Sequence, residues 1–158
     1  MNGIVEQHTS RLRLLCGAFL LSTLIYGVVV FITPPPETPP LARGDLLMWA
    51  VVVLALVNLA TLMPVYRAML AGPRRAYAEG QQVEPLLAAH TTAHVVACAR
   101  LEVLGVLGLV VFFLTGRGDW FWILNGVAAV GLVLLWPLRE KVETLLGATA
   151  VAGTVSAG

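Results

Sequence analysis

Four apolar runs, each roughly 20 residues long, constrain this chain more than any other feature of its sequence. The runs occupy residues 14–32, 46–66, 95–115 and 120–138. An α-helix needs about 20 predominantly apolar residues to cross a hydrocarbon core about 30 Å thick. Runs of this length therefore predict transmembrane helices.

The composition of the chain argues against a soluble bundle. Hydrophobic residues make up 58% of the 158 residues and charged residues 12%, whereas soluble domains have about 45–50% and about 25%. The helices of a soluble bundle also carry a polar face at helical spacing, which the four runs mostly lack. The sequence thus predicts an all-α polytopic membrane protein whose four transmembrane helices form one integral membrane domain over residues 1–158.

The two halves of the chain share a pattern of short motifs. The first run ends in Val-Phe-Ile-Thr (30–33) and the third in Phe-Phe-Leu-Thr (112–115), and an Arg-Gly-Asp tripeptide follows each, at 43–45 and 117–119. Each tripeptide opens a further apolar run in which a Trp precedes a Pro by the same distance, Trp49 with Pro64 and Trp122 with Pro137. Self-similarity of this kind predicts a duplicated unit, here a two-helix hairpin repeated in tandem.

Glycine and proline suggest where the segments begin and end. We expect one hairpin over about 11–70, a cytoplasmic loop over about 71–93, a second hairpin over about 94–146 and a mobile tail over 147–158. Residues 1–10 are expected to be a polar tail, and the proline-rich stretch 33–45 an extended loop. Gly72-Pro73 should end the second helix, and Glu84-Pro85 should start a third helix of roughly 30 residues.

The distribution of positive charge predicts the orientation in the membrane. Basic residues cluster before the first run, between the second and third runs, and after the fourth. These residues are Arg11, Arg13, Arg67, Arg74, Arg75, Arg139 and Lys141. The other two connections carry one Arg each, Arg43 and Arg117. Because cytoplasmic loops are enriched in Lys and Arg, both termini are expected in the cytoplasm, with the chain in the plasma or inner membrane if it is bacterial.

The third run contains two charged residues, Arg100 and Glu102. A charged side chain at the centre of a span costs about 2.5–3.5 kcal/mol on insertion scales, so such residues usually face protein or water. Two residues apart on a helix, the two side chains point to different sides and do not neutralise each other. Glu102, with Arg100 as its neighbour, is therefore a candidate ion or proton site.

A stripe of polar residues leads up to this carboxylate. His90, His94, Cys98 and Glu102 recur at every fourth position and so lie along one side of the helix. His90 and His94 have a spacing that can chelate a metal ion, and the stripe also suits a proton path. The alternative is a purely structural role for the stripe. In that case the histidines lie at the membrane interface, the Cys98 thiol is packed, and Glu102 is hydrogen-bonded to a neighbouring helix. Cys16 lies at a matching depth in the first half, and free buried thiols are favoured over a disulfide.

Residues 98–110, Cys-Ala-Arg-Leu-Glu-Val-Leu-Gly-Val-Leu-Gly-Leu-Val, resemble the carboxylate-bearing helix of the rotor-ring subunits of rotary ATPases. The resemblance covers about one helix of four, with Glu102 at the position of the carboxylate. It implies that Glu102 would be an ion carrier.

Small residues mark expected packing faces. They are Gly105 and Gly108 in the third run, and Gly126, Ala129 and Gly131 in the fourth. Small residues let helices approach closely in a membrane, within one chain or between chains. Two asparagines inside spans, Asn58 and Asn125, are expected to form hydrogen bonds across helices.

Several functional classes find no support in the sequence. It contains no glycine-rich phosphate loop, no plausible Ser-His-Asp set and no basic patch suited to nucleic acid. We therefore expect a non-enzymatic accessory or scaffold subunit of a larger membrane complex, with the lipid bilayer and other membrane subunits or further copies of itself as partners. The alternatives are proton or cation translocation through Glu102 and metal or haem ligation at His90 and His94. No cofactor is predicted.

Overall fold

The computed structural model describes the backbone of residues 2–36, 45–80 and 83–156, and the side chains of most of them up to residue 147. The described residues form helices and no strand, which confirms the prediction of an all-helical protein. The helices are α1 (Asn2–Ile32), α2 (Asp45–Ala78), α3 (Val83–Thr115), α4 (Gly118–Leu134) and α5 (Arg139–Ser156).

Three of these helices, α1, α2 and α3, are long and apolar enough to cross a membrane. A fourth candidate span consists of α4 together with the start of α5, which are bent by 59° relative to each other. The described part of the chain therefore has three candidate spans, or four if the bent pair is counted as one.

The long helices extend beyond the apolar runs at both ends of the chain. The expected polar tail is helical from Asn2, and Val5 and Thr9 within it are buried. The residues of the expected mobile tail are helical up to Ser156. Contacts made by the turns that flank each apolar run extend the helices past the limits that composition suggests.

The expected cytoplasmic loop over 71–93 is also mostly helical. α2 continues through Pro64 and Pro73 to Ala78, and α3 begins at Val83. Pro73 removes one helical hydrogen bond, but the turns on both sides are held by packing, with Leu70 buried and Tyr77 against a hydrophobic cluster. The predicted start of the third helix near Glu84 is confirmed. Much of the proline-rich loop, residues 37–44 with the first Arg-Gly of the repeated tripeptide, lies outside the described residues.

Helix α3 occupies the centre of the bundle and packs against α1, α2 and α4. The buried side chains in the middle of α3, from Ala97 to Leu104, form the main core cluster with residues of the other three helices. By contrast, no Cα atom in the described part of α1 lies within 8 Å of one in α2. The first pair of helices is therefore separated by α3, whereas α3 and α4 pack directly on each other.

The break between α4 and α5 lies at Pro137, where the predicted fourth helix ends earlier than its apolar run. Lys141 donates through Nζ to the carbonyl oxygens of Leu134 (3.1 Å) and Trp136 (3.4 Å), and Arg13 donates through Nε to that of Pro137 (3.3 Å). Proline cannot donate a backbone hydrogen bond, and a helix end leaves carbonyl groups without partners. Two cations thus satisfy the carbonyl groups that this bend leaves free.

Beyond the bend, α5 is amphipathic over its described side chains. Val142 and Leu146 are buried in a cluster with Val5 of α1 and Leu86 and Leu87 of α3. This second cluster lies at the end of the bundle where α1 and α3 begin and α2 ends. We call this end the basic end, because seven of the ten Lys and Arg residues of the chain lie near it in sequence.

The predicted small-residue contacts are present at three of the four glycines. A methyl group added to Gly108 would lie 3.2 Å from the Cα atom of Phe121, and one added to Gly105 would lie 3.0 Å from Oδ1 of Asn125. One added to Gly131 would meet the side chain of Leu101. Gly126 differs, since nothing lies within 4 Å of its added methyl group. Its expected packing is not with the described residues of this chain.

Gly108 and Gly126 give a matched pair of substitutions that tests this packing. Alanine in a helix interior is favoured over glycine by about 1 kcal/mol, so Gly126→Ala should leave stability unchanged or slightly higher. Gly108→Ala should lower the free energy of unfolding by about 1–3 kcal/mol, because a methyl group against backbone forces α3 and α4 apart. Titrating both variants with SDS in mixed micelles, followed by circular dichroism, measures the difference. Equal stabilities would contradict the close approach of these helices.

Candidate functional site

The two charged residues of the third run lie on different sides of α3, as their spacing predicts. Arg100 faces α2 and Glu102 faces α1, and each is only partly buried. Ion pairs in the described part of the chain form elsewhere, between Arg117 and Asp119 and between Arg139 and Glu143, all exposed. Both intramembrane charges therefore rely on hydrogen bonds to neighbouring helices.

Arg100 is held by one turn of α2. Its Nε atom donates to Oδ1 of Asn58 (2.8 Å), and its Nη2 atom donates to the carbonyl oxygen of Asn58 (3.0 Å) and to Oγ1 of Thr61. Its Nη1 atom donates to the carbonyl oxygen of Thr61 (3.3 Å). In return, Nδ2 of Asn58 donates to the carbonyl oxygen of Arg100 (2.6 Å). These bonds satisfy most of the guanidinium donors at a depth where water is scarce.

Glu102 is held by one turn of α1. Ser22 donates through Oγ to Oε1 of the carboxylate, and Tyr26 donates through Oη to the same oxygen (2.9 Å). Hydrogen bonds from hydroxyl groups to a carboxylate are stronger than bonds between neutral groups. Glu102 thus joins α3 to α1 on one side, and Arg100 joins it to α2 on the other.

The expected bond across helices at Asn125 is also present. Its Nδ2 atom donates to the carbonyl oxygen of Thr23 (3.1 Å), which connects α4 to α1. Together with Asn58, this confirms that both asparagines inside the spans bond between helices.

His90 and His94, the predicted metal or haem ligands, have different neighbours. Their ring centroids are 6.0 Å apart. Nδ1 of His90 lies 3.1 Å from Nε2 of His8, close enough for a hydrogen bond, and the His90 ring contacts Tyr66 edge-on. His94 lies one turn further along α3, towards Cys98. The two histidines thus lie along the same side of α3, but each lies next to different groups.

His94 lies next to the two cysteines of the chain, which are both free and buried. Their Sγ atoms are 3.9 Å apart, and Sγ of Cys16 lies 3.6 Å from the carbonyl oxygen of Leu132. One ligand atom from each of Cys16, His94 and Cys98 falls within 4.8 Å of the other two. Within the described residues, the buried Nε2 atom of His94 has no hydrogen-bond partner.

A cavity of about 620 Å³ opens beside this group, and His90 and His94 form part of its wall. Tyr66 and Pro137 line it towards the spans, and Arg74 and Lys141 line it at the basic end. A second cavity of about 470 Å³, between α2 and α4, is lined almost wholly by apolar side chains and by Gly126.

Sequence reasoning did not identify several residues that contact the candidate sites. They are His8, Ser22, Tyr26 and Thr61. The sequence contained a signal for three of them. Ser22 and Tyr26 are spaced to share one face of an otherwise apolar helix, and so are Thr61 and Asn58. Polar residues on one face of a span indicate a polar partner on the neighbouring helix. His8 carried no such signal, since it lies in a stretch expected to be a tail.

Comparisons of this chain with protein-family models, curated proteins and solved structures found no match. The proposed function therefore depends on the contacts described above.

The bonds between Arg100 and Asn58 should contribute measurably to stability. We expect Asn58→Ala to lower the free energy of unfolding by about 2 kcal/mol, because it leaves the Nε atom of a charged guanidinium without its acceptor and removes the bond from Nδ2 to the Arg100 carbonyl oxygen. In a double-mutant cycle with Arg100→Ala, the two substitutions should couple by at least about 0.5 kcal/mol.

Asn125→Ala is the matched control for this cycle, because Asn125 bonds to α1 and not to Arg100. It should add to Arg100→Ala without coupling. The measurement is again the titration with SDS in mixed micelles. Additivity of Asn58→Ala with Arg100→Ala would show that the bonds between these two side chains contribute nothing to stability.

Proposed function

We propose that this chain is a non-enzymatic integral membrane protein that serves as an accessory or scaffold subunit of a larger membrane complex. The observation that carries the proposal is the use of both intramembrane charges, Arg100 and Glu102, as bonds between helices. Polar groups that hold a bundle together leave its outer surface free to contact lipid or other subunits.

The proposal takes the chain as four spans in two tandem hairpins, the first of which is open, since no described Cα atom of α1 lies within 8 Å of one in α2. α4 has 17 residues, about 26 Å at 1.5 Å per residue, which is slightly short of a hydrocarbon core of about 30 Å. The bend after α4 and the amphipathic start of α5 suit a helix that leaves the core and lies at the interface.

The charge distribution supports an orientation with both ends in the cytoplasm. α1, α2 and α3 share the basic end, and the opposite end retains Arg117, whose charge is paired with Asp119. Because Lys and Arg are enriched on the cytoplasmic side, we place the basic end there.

The outward faces of α1, α2 and α4 suit lipid or partner helices. Large apolar side chains stay exposed on them, for example Phe31 (83%), Leu24 (67%), Trp49 (68%) and Val130 (60%). Contiguous exposed apolar surface is rare on soluble monomers and marks membrane or protein contact. In the apolar 18-residue stretch of α2 only 17% is buried within the chain, whereas 44% is buried in the corresponding stretch of α3. α2 therefore offers a large free surface.

Native mass spectrometry of the protein, released from its own membrane in mild detergent, tests the scaffold function. We expect a complex of defined mass that contains this chain together with other subunits or further copies of it. Glu102→Gln should leave that mass unchanged, because the amide oxygen still accepts from Ser22 and Tyr26. A monomer that carries only lipid, in the wild type and in several detergents, would contradict the proposal.

A second candidate function is proton or cation translocation, favoured by the hydroxyl groups on the Glu102 carboxylate. Ser22 and Tyr26 can pass a proton to or from Oε1 without moving the helices. In this case Glu102→Gln should abolish proton flux into proteoliposomes under an imposed potential, because an amide side chain, unlike a carboxyl group, does not take up or release the proton. Glu84→Gln, an exposed position on the same helix, is the control and should retain the flux. Equal flux in wild type and Glu102→Gln would rule this function out.

A further inference from the structure

We propose that Cys16, Cys98 and His94 form a binding site for one zinc ion between α1 and α3. This inference goes beyond the scaffold function, which stands whether or not the site binds metal. The site also differs from the His90 and His94 pair that the sequence pattern favours, since it keeps His94 but has the thiols of Cys16 and Cys98 in place of His90.

The spacing of the ligand atoms fits a tetrahedral ion. Two sulfur atoms at about 2.3 Å from zinc are about 3.8 Å apart at the tetrahedral angle, and the two Sγ atoms here are 3.9 Å apart. A sulfur and an imidazole nitrogen on the same ion are about 3.6 Å apart. One ring nitrogen of His94 lies within 4.8 Å of both sulfur atoms, so binding of the ion would draw these ligand atoms closer together.

The surroundings of His94 provide a second, independent observation. The side chain is buried, with 4% of its surface exposed, and its Nε2 atom lacks a hydrogen-bond partner among the described residues. A buried polar atom without a partner costs about 1–3 kcal/mol. Coordination of a metal ion by His94 would remove the need for a hydrogen-bond partner on the coordinating nitrogen.

Charge balance favours a divalent ion. Cys16 and Cys98 are fully buried and belong to a core cluster of apolar side chains. Zn²⁺ with two thiolates and a neutral imidazole has no net charge, whereas Cu⁺ with the same ligands leaves one negative charge in the core. Because a buried net charge is costly, zinc is the better occupant among ions that prefer sulfur.

The binding reaction releases protons in a fixed ratio. Each cysteine thiol loses its proton to solvent as its sulfur binds the metal, so one zinc ion releases about two protons. The ion has a route to the site, because His94 also lines the 620 Å³ cavity near the basic end.

The test uses the full chain, purified in detergent under reducing conditions and stripped with a chelator. On addition of zinc alone we expect about one ion per chain by elemental analysis and about two protons released into a weakly buffered indicator. Cobalt in place of zinc should give the near-ultraviolet charge-transfer band of thiolate ligation. Zinc should also protect both thiols of the wild type from alkylation, a readout that needs no variant.

Substitutions locate the site. Cys16→Ser, Cys98→Ser and His94→Ala should each weaken zinc binding by more than about 100-fold, since even outer partners of a metal site contribute 10–100-fold. His90→Ala, one turn away on the same helix, is the matched control and should retain the zinc and the cobalt band.

Several results would overturn the proposal. They are a wild type that takes up no zinc, alkylation of the thiols unaffected by zinc, uptake of Cu⁺ but not of Zn²⁺, and loss of zinc in His90→Ala with retention in both cysteine variants. The assembly mass measured for the scaffold function is a separate readout, so each proposal fails on its own data.

Discussion

The architecture depends on how one helix carries two charges inside an apolar bundle. Arg100 and Glu102 lie on different sides of α3, and each is satisfied by a single turn of a different neighbour. In lipid there is little hydrophobic force between helices, so packing and hydrogen bonds set their arrangement. These two sets of bonds join α3 to α1 and to α2, in agreement with its central position in the bundle.

The polar groups form a graded series along the interface between α1 and α3. Near the basic end, His8 contacts His90; further along lie His94 and the two thiols, and beyond them Glu102 with its hydroxyl donors. All of these groups lie between the same two helices, whereas Arg100 faces α2. The interface between α1 and α3 therefore holds the proposed zinc ligands as well as Glu102, whereas the polar contacts of Arg100 lie between α3 and α2.

The sequence predicted the helical class, the long third helix and the separation of Arg100 from Glu102, because these follow from run length and helical spacing. It failed where tertiary contacts decide. Pro73 is a helix breaker by its chemistry, yet neighbouring turns packed against the second cluster keep α2 continuous. The partners of Glu102 were visible only as polar residues on one face of α1. That His94 lies beside Cys16 depends on how α1 packs on α3, which no local pattern encodes.

In the described residues no Cα atom of α1 lies within 8 Å of one in α2, and this separation has a consequence for biosynthesis. A chain leaves the ribosome from its N-terminus, so α1 and α2 enter the bilayer before α3, the helix on which both of them pack. The polar groups of α1, Ser22 and Tyr26, and those of α2, Asn58 and Thr61, can bond to the charged groups of α3 only after α3 has been inserted. Insertion of α3 between them is then the event that converts two separate helices into a folded unit.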